Sequence, residues 1–170
     1  RGNLKKTACE IVFNTSMTGY VEILTDPSYA GQGVVMTYPM IGNYGISRED
    51  FESERLQPSA FIVHELSSDP SNFRCTDTIE NLLKEYNIPC ISGVDTRAVV
   101  KKLRESGTMR GVLTSDIGDR ERLMDVIKSF RQIDLVGSVT AKQTKVYGEE
   151  NTGAEIAFMD FGTKRNIINN

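Results

Sequence analysis

His64 is the only histidine in the chain, so any nucleophile–base pair would have to be built around it. It closes the apolar run Ala60-Phe61-Ile62-Val63, which reads as a strand. A histidine in that setting is more simply a satisfied core or edge residue than a general base. The three cysteines, Cys9, Cys75 and Cys90, form no Cys-x-x-Cys pair. With one histidine available they write no zinc constellation of ordinary spacing. Cys9 sits in an apolar strand pattern, Cys75 has only Arg74 beside it, and Cys90 follows a proline into an apolar run. Buried, inert thiols in a reducing compartment are the simplest account of all three.

Two short motifs copy better-known ones without their context. Asp160-Phe161-Gly162 matches the metal-binding tripeptide of kinases, but no glycine-rich loop, strand lysine or His-Arg-Asp segment accompanies it. Gly42-Asn43-Tyr44-Gly45 is glycine-rich, and a Walker-type phosphate loop is absent, so a turn is expected there. The most unusual stretch is Asn14-Thr15-Ser16-Met17-Thr18-Gly19-Tyr20. Its hydroxyl and amide groups follow an apolar strand directly. They suit the positioning of a polar ligand but supply no strong base, so the chemistry would be binding rather than bond-breaking. A strand-exit turn that caps the next helix explains the same residues.

The elements that must carry these residues follow from pattern. Strands are expected over residues 8–13, 33–38, 60–64, 90–94 and 109–114, with helical spacing over 76–86, 95–104 and 119–130. Thr76 and Asp95 are the expected N-caps of the first two helices, and Gly107 the stop of the second. A single helical turn is expected over residues 19–24, ended by Asp26-Pro27. Residues 39–47 read as a loop, and 48–54 as a charged surface segment. The polar, aperiodic stretch from 138 reads as a linker, and 155–161 (EIAFMDF) as a new strand. Strands mixed with helices favour an α/β or α+β class.

Composition narrows the function. The chain has 170 residues, a formal net charge of −3, a sequence pI of about 5.3 and a mean hydropathy of −0.31. The acidic balance argues against nucleic acid, and no apolar run reaches the roughly 20 residues needed to span a bilayer. No signal peptide is recognised at the start. Position 1 is Arg rather than Met, which suggests an excerpt or a processed product. A cytoplasmic protein is expected.

Several blocks together resemble the small (glutamine amidotransferase) subunit of carbamoyl-phosphate synthase. They are FNTSMTGYVEILTDPSY (13–29), TYPMIGNYG (37–45), PSNFR (70–74), IPCISGVDTRAVVKKL (88–103) and RESGTMRGVLT (104–114). DFGTKRNI (160–167) resembles the strand-to-helix opening of that family's amidotransferase domain. The blocks stand in family order. Met40 and Cys90 depart from it, standing where relatives often carry histidine and glycine.

The resemblance implies a mixed α/β domain of the layered β/β/α type of that subunit over residues 1–137. A linker over 138–154 and a truncated start of a flavodoxin-like amidotransferase domain over 155–170 would follow. It implies a ligase that uses glutamine to make carbamoyl phosphate for arginine and pyrimidine biosynthesis. A Cys-His-Glu triad in the amidotransferase domain hydrolyses glutamine, and ammonia passes to an ATP- and Mg2+-dependent large subunit. The family's catalytic cysteine would fall beyond Asn170, so no catalytic residue, cofactor or metal is expected within these residues, and the fragment alone is expected to be inactive. The part implied here is docking to the large subunit and one contact to L-glutamine, which falls on Ser16. The alternative is a stand-alone small-molecule binding domain that uses the loop from Asn14 to Tyr20.

Overall fold

The computed structural model describes residues 6–131, 134–148 and 155–169. Residues 1–5 and, of the expected linker, 149–154 lie outside the described residues, as do 132, 133 and 170. The elements in chain order are β1 (Thr7–Asn14), α1 (Tyr20–Thr25), β2 (Gln32–Met36), β3 (Met40–Ile41), β4 (Ala60–Ile62), β5 (Glu65–Leu66), α2 (Ile79–Glu85), β6 (Cys90–Ile91), α3 (Thr96–Ser106), β7 (Met109–Leu113), α4 (Arg120–Ser129), α5 (Leu135–Val139) and α6 (Arg165–Asn169). Short 3-10 turns lie over Pro27–Tyr29 and Arg48–Asp50.

Five strands form a mixed sheet in the order β6-β4-β2-β1-β7. The first four are parallel to one another, and β7 runs antiparallel along the outer edge of β1. Strands β3 and β5 make a separate two-stranded parallel pair, and β3 falls inside the segment expected as loop. The class is α/β, one of the two that the pattern leaves open and the one that the resemblance implies.

Alternation along the strands sorts the core into two faces. Cys9, Val35, Ala60 and Ile62 point to one face and meet Val100 and Leu103 of α3. Val34, Met36, Phe61 and Val63 point to the other and meet Tyr20, Val21, Ile23 and Leu24 of α1 with Ile79, Leu82 and Leu83 of α2. Because both faces are covered, Val34–Met36 of β2 and Ala60–Ile62 of β4 are apolar at consecutive positions rather than at every second one. Burial of Val100 or Leu103 contributes roughly 1.5–3 kcal/mol each.

The middle of β1 is bracketed by two glycines. A Cβ on Gly33 would stand 2.7 Å from Cys9 Sγ and 2.8 Å from Ile11 Cδ1, and one on Gly111 would stand 2.7 Å from Ile11 Cγ1. The flanking strands thus give up side chains where Cys9 and Ile11 need the volume beneath α3.

The ends of α3 are where the pattern puts them. Asp95 accepts a hydrogen bond from the Ala98 N–H at 2.9 Å, and Gly107 follows Ser106 with φ 78. The cap of α2 is different. Thr76 donates its hydroxyl and its N–H to the Ile46 carbonyl, pinning the preceding loop, and Thr78 caps the helix by accepting from the Asn81 N–H at 3.2 Å. Residues 155–161 form no strand: no ladder joins them to any of the described residues, and Ile156, Phe158, Met159 and Phe161 are exposed.

Asp95→Ala is expected to cost about 0.5–2 kcal/mol of stability through the lost cap. Thermal unfolding monitored by circular dichroism checks it, and an unchanged midpoint would overturn the capping role.

Candidate functional site

The loop over residues 14–20 leaves the C-terminal end of β1 and enters α1. This is the carboxyl end of the parallel strands, where open α/β sheets place ligands. Within the loop, Asn14 does two things. Its Oδ1 accepts from the Ser16 N–H at 2.7 Å, and its Nδ2 donates to the Tyr29 hydroxyl at 2.9 Å. The first bond closes a side-chain turn that holds the Ser16 backbone; the second ties that turn to the domain. Thr15, Ser16, Met17 and Thr18 are all exposed, and burial begins at Gly19.

The other end of the loop is held by a pair of tyrosines. Tyr20 and Tyr44 stack with ring centroids 4.1 Å apart. The Tyr44 hydroxyl accepts from the Gly19 N–H at 2.6 Å and the Tyr20 N–H at 3.2 Å. In return the Tyr20 hydroxyl donates to the Gly45 carbonyl at 2.8 Å and accepts from the Tyr44 N–H at 3.2 Å. Burial raises both phenol pKa values, so both stay protonated and can make these bonds. Gly19 takes φ 81, which lets the chain turn into α1 without a Cβ penalty. The glycine-rich segment is the turn that aims Tyr44: the Gly45 N–H donates to the Gly42 carbonyl at 3.1 Å, and both glycines have positive φ.

The far end of α1 is also anchored. Thr25 is fully buried; its hydroxyl donates to the Val21 carbonyl at 2.8 Å and accepts from the Glu52 N–H at 2.9 Å. The segment expected to be surface therefore turns inward at Phe51 and Glu52, both buried. Its outer residues keep the expected character. Arg48 pairs with Glu85, and Arg74 bridges Glu49 and Asp50.

The residues by themselves single out the loop, the family resemblance singles out Ser16 within it, and neither points to Tyr44, Thr25 and Glu52, which hold the loop and the helix after it. The signal for Tyr44 was its place inside a two-glycine turn. For Glu52 it was only the neighbouring Phe51.

The other sequence candidates lie apart from one another in character. His64 is exposed, and its Nδ1 lies 3.0 Å from the Val94 carbonyl, an acceptor that places the ring proton on Nδ1. Burial pushes the Cys9 thiol up to about 11 and the Cys90 thiol up to about 12, the opposite of an activated nucleophile. Cys75 donates its thiol to the Asp77 carbonyl at 3.3 Å. Asp160 Oδ1 accepts from the Gly162 and Thr163 N–H groups, so the kinase-like tripeptide is a turn. Among the described residues no cluster of three His, Cys, Asp or Glu is placed to hold a metal ion. None of their helices is long and apolar enough to cross a membrane. An open groove of about 410 Å³ runs over α3 and is lined by Thr37, Arg97, Lys101 and Arg104 but by no residue of the loop.

Glu22 is a carboxylate close to the loop's exit. A Cβ on Gly19 would stand 3.8 Å from its Oε2. That oxygen is buried with no hydrogen-bond partner among the described residues. Burial above all, with Asp50 and Glu52 adding to it, raises its pKa above the ordinary 4.5, while a hydrogen bond from its own backbone and, less, Arg74 offset part of the shift. The folded protein therefore binds this proton more tightly than the unfolded chain does. Stability drops as pH rises through the window between the ordinary and the raised value. Glu22→Gln is expected to unfold at a higher temperature than wild type above that window, with the gap closing as pH falls below it. Melting curves across pH check this; a gap that ignores pH would remove the electrostatic cause.

Comparison with known proteins gives the frame for this geometry. Residues 1–113 match the family described as carbamoyl-phosphate synthase small chain, CPSase domain. The chain is 48% identical over 164 residues to the carbamoyl phosphate synthase small chain of Caldanaerobacter subterraneus subsp. tengcongensis, covering 96% of this chain and 44% of that protein. It is 46% identical over 170 residues to the one from Clostridium perfringens, covering 99% and 48%. For Archaeoglobus fulgidus the figures are 48% over 164 residues, 94% and 45%. The chain spans about half the length of the curated relatives it matches. A family match across residues 1–113 and relatives that align over nearly the whole chain agree: the chain belongs to the carbamoyl-phosphate synthase small chain family.

Proposed function

We propose that this chain is the N-terminal part of the glutamine-hydrolysing subunit of a carbamoyl-phosphate synthase. In this reading it places Ser16 against L-glutamine and helps the subunit dock on its large partner. The observation that carries it is the loop itself: Ser16 is exposed, its N–H is held by Asn14, and the loop's exit at Gly19 and Tyr20 is held by Tyr44. A hydroxyl carried on an already ordered backbone loses less entropy on binding a polar substrate than one on a mobile loop. The loop offers no base, which fits a contact that orients glutamine while bond cleavage belongs to a Cys-His-Glu triad elsewhere in the full-length protein. Ammonia released there would travel to an ATP- and Mg2+-dependent large subunit, in a cytoplasmic ligase serving arginine and pyrimidine synthesis. Residues 155–170 are read as the opening of the amidotransferase half.

Ser16→Ala in the full-length enzyme is expected to raise the glutamine KM by roughly 2- to 13-fold, the loss of one hydrogen bond worth about 0.5–1.5 kcal/mol. Activity with ammonia should stay unchanged. An unaltered glutamine KM would reduce the loop to a strand-exit turn.

The 170-residue chain by itself is expected to release no ammonia from glutamine. Its one histidine bonds the Val94 carbonyl, and two of its three thiols are held protonated by burial. Turnover that survives repurification and is lost on substituting Cys9, Cys75 or Cys90 would overturn this. Glutamine binding by that chain at an affinity matching the full enzyme would favour the stand-alone binding domain instead.

A further inference from the structure

The segment after residue 160 does not float free of the sheet domain. It returns to it and seats on Glu52. The Glu52 side chain is buried in a protein whose carboxylates otherwise lie mostly at the surface. Its Oε2 accepts from the Asn166 N–H at 3.0 Å and its Oε1 from Asn166 Nδ2 at 2.8 Å. Its backbone carbonyl accepts from the Arg165 N–H at 2.8 Å. One residue thus takes three hydrogen bonds from two adjacent residues of the returning chain. Beside it, Lys164 Nζ stands 3.3 Å from Asp26 Oδ2, and Asp26 is itself buried. Gly162 packs so closely that a Cβ would meet Val139 Cγ2 at 2.7 Å and Pro27 Cβ at 3.1 Å.

The other side of Glu52 leads straight to the Ser16 loop. Its N–H donates to Thr25 Oγ1, which donates in turn to the Val21 carbonyl in the first turn of α1. Ser53 Oγ donates to the Thr25 carbonyl. Val21 adjoins Tyr20, whose N–H is held by Tyr44 at the loop exit. Four links therefore join Asn166 to the loop: Asn166 to Glu52, Glu52 to Thr25, Thr25 to Val21, and Val21 to Tyr20. The first three are hydrogen bonds and the last is the covalent chain.

We propose that Glu52 is a positioning residue that fixes the Ser16 loop in register with the chain segment beginning at residue 160. Through that segment it registers the loop to the half of the protein that follows. The proposal rests on the reading of Ser16 as a glutamine contact for its catalytic meaning, and on the hydrogen-bond chain alone for its mechanics. A glutamine site shared between two halves needs a joint that sets the distance between them, because a misplacement of about 1 Å can cost on the order of 100-fold in rate. A buried carboxylate that accepts both a main-chain and a side-chain N–H from one residue fixes orientation as well as distance.

The test exploits the charge pattern of the joint. Asn166→Asp sets a second carboxylate against Glu52 and breaks the pair. Glu52→Gln alone is mild, because the Asn166 amide can turn to present its oxygen. Combining Glu52→Gln with Asn166→Asp restores a complementary pair, the new amide at position 52 donating to the new carboxylate at position 166. Hydrogen exchange by mass spectrometry on the full-length protein reads the loop directly. Asn166→Asp is expected to speed exchange at residues 19–21 about tenfold or more, Glu52→Gln to stay within about twofold of wild type, and the double variant to return to about twofold. The glutamine KM should follow the same order, with kcat for ammonia-dependent synthesis unchanged throughout. Faster exchange confined to residues 162–169, with 19–21 unmoved, would overturn the proposal. So would a double variant no better than Asn166→Asp. Ser16→Ala measured alongside keeps the two readings apart: if its KM is unchanged the glutamine assignment fails, while the exchange pattern still decides the joint.

Discussion

Helix α1 has six residues, too few to be stable by itself in water, where helices shorter than about 12–15 residues are marginal. It exists because both of its ends are tied to other parts of the chain. The Tyr20–Tyr44 stack and the Tyr44 hydroxyl hold its start, and Thr25 with Glu52 and Ser53 hold its end. Its inner face supplies Tyr20, Val21, Ile23 and Leu24 to one side of the sheet. The loop before it, the two-glycine turn beside it and the charged segment beneath it all take their positions from this short rod. Were it to unwind, Ser16, Tyr44 and Glu52 would lose their common frame at once.

The long helices could be read directly from the residues because each is determined locally. Val99, Val100 and Leu103 fall on one face of α3 whatever the rest of the chain does, and Asp95 and Gly107 are capping types at capping positions. The misplacements have a shared cause, a side chain whose partner lies far away in sequence. Thr76 and Thr78 are equally good caps in isolation; the Ile46 carbonyl, brought alongside by the tertiary fold, takes Thr76 and leaves the cap to Thr78. Glu52 looks like one more surface charge until Asn166 and Thr25 converge on it. Residues 155–161 have the composition of a central strand, but apolar composition makes a strand only where a neighbour offers its open edge.

The loop itself shows how far residue types can be taken. That it suits binding rather than cleavage follows from its hydroxyl and amide groups and its lack of a base. Which of its four polar side chains is held, and by what, does not follow from the residues. Asn14 is committed to the turn and to Tyr29, so Ser16 presents its hydroxyl from a backbone already fixed. Tyr44, 25 residues on from Gly19, could enter the account only once the fold had closed that distance.

The antiparallel strand at the sheet edge carries a consequence for how the chain is made. Strands β1, β2, β4 and β6 dock in the order in which they are synthesised along one side of β1, whereas among the described residues the strand that covers the other side is β7, with Thr7 opposite Leu113. At roughly 5–20 residues per second a ribosome needs on the order of 5–20 s to deliver the roughly 100 residues between them. Through that interval the nascent chain offers Cys9 and Ile11 beside an open row of main-chain donors and acceptors. A chaperone, or the same strand on a neighbouring nascent chain, has those seconds in which to bind it.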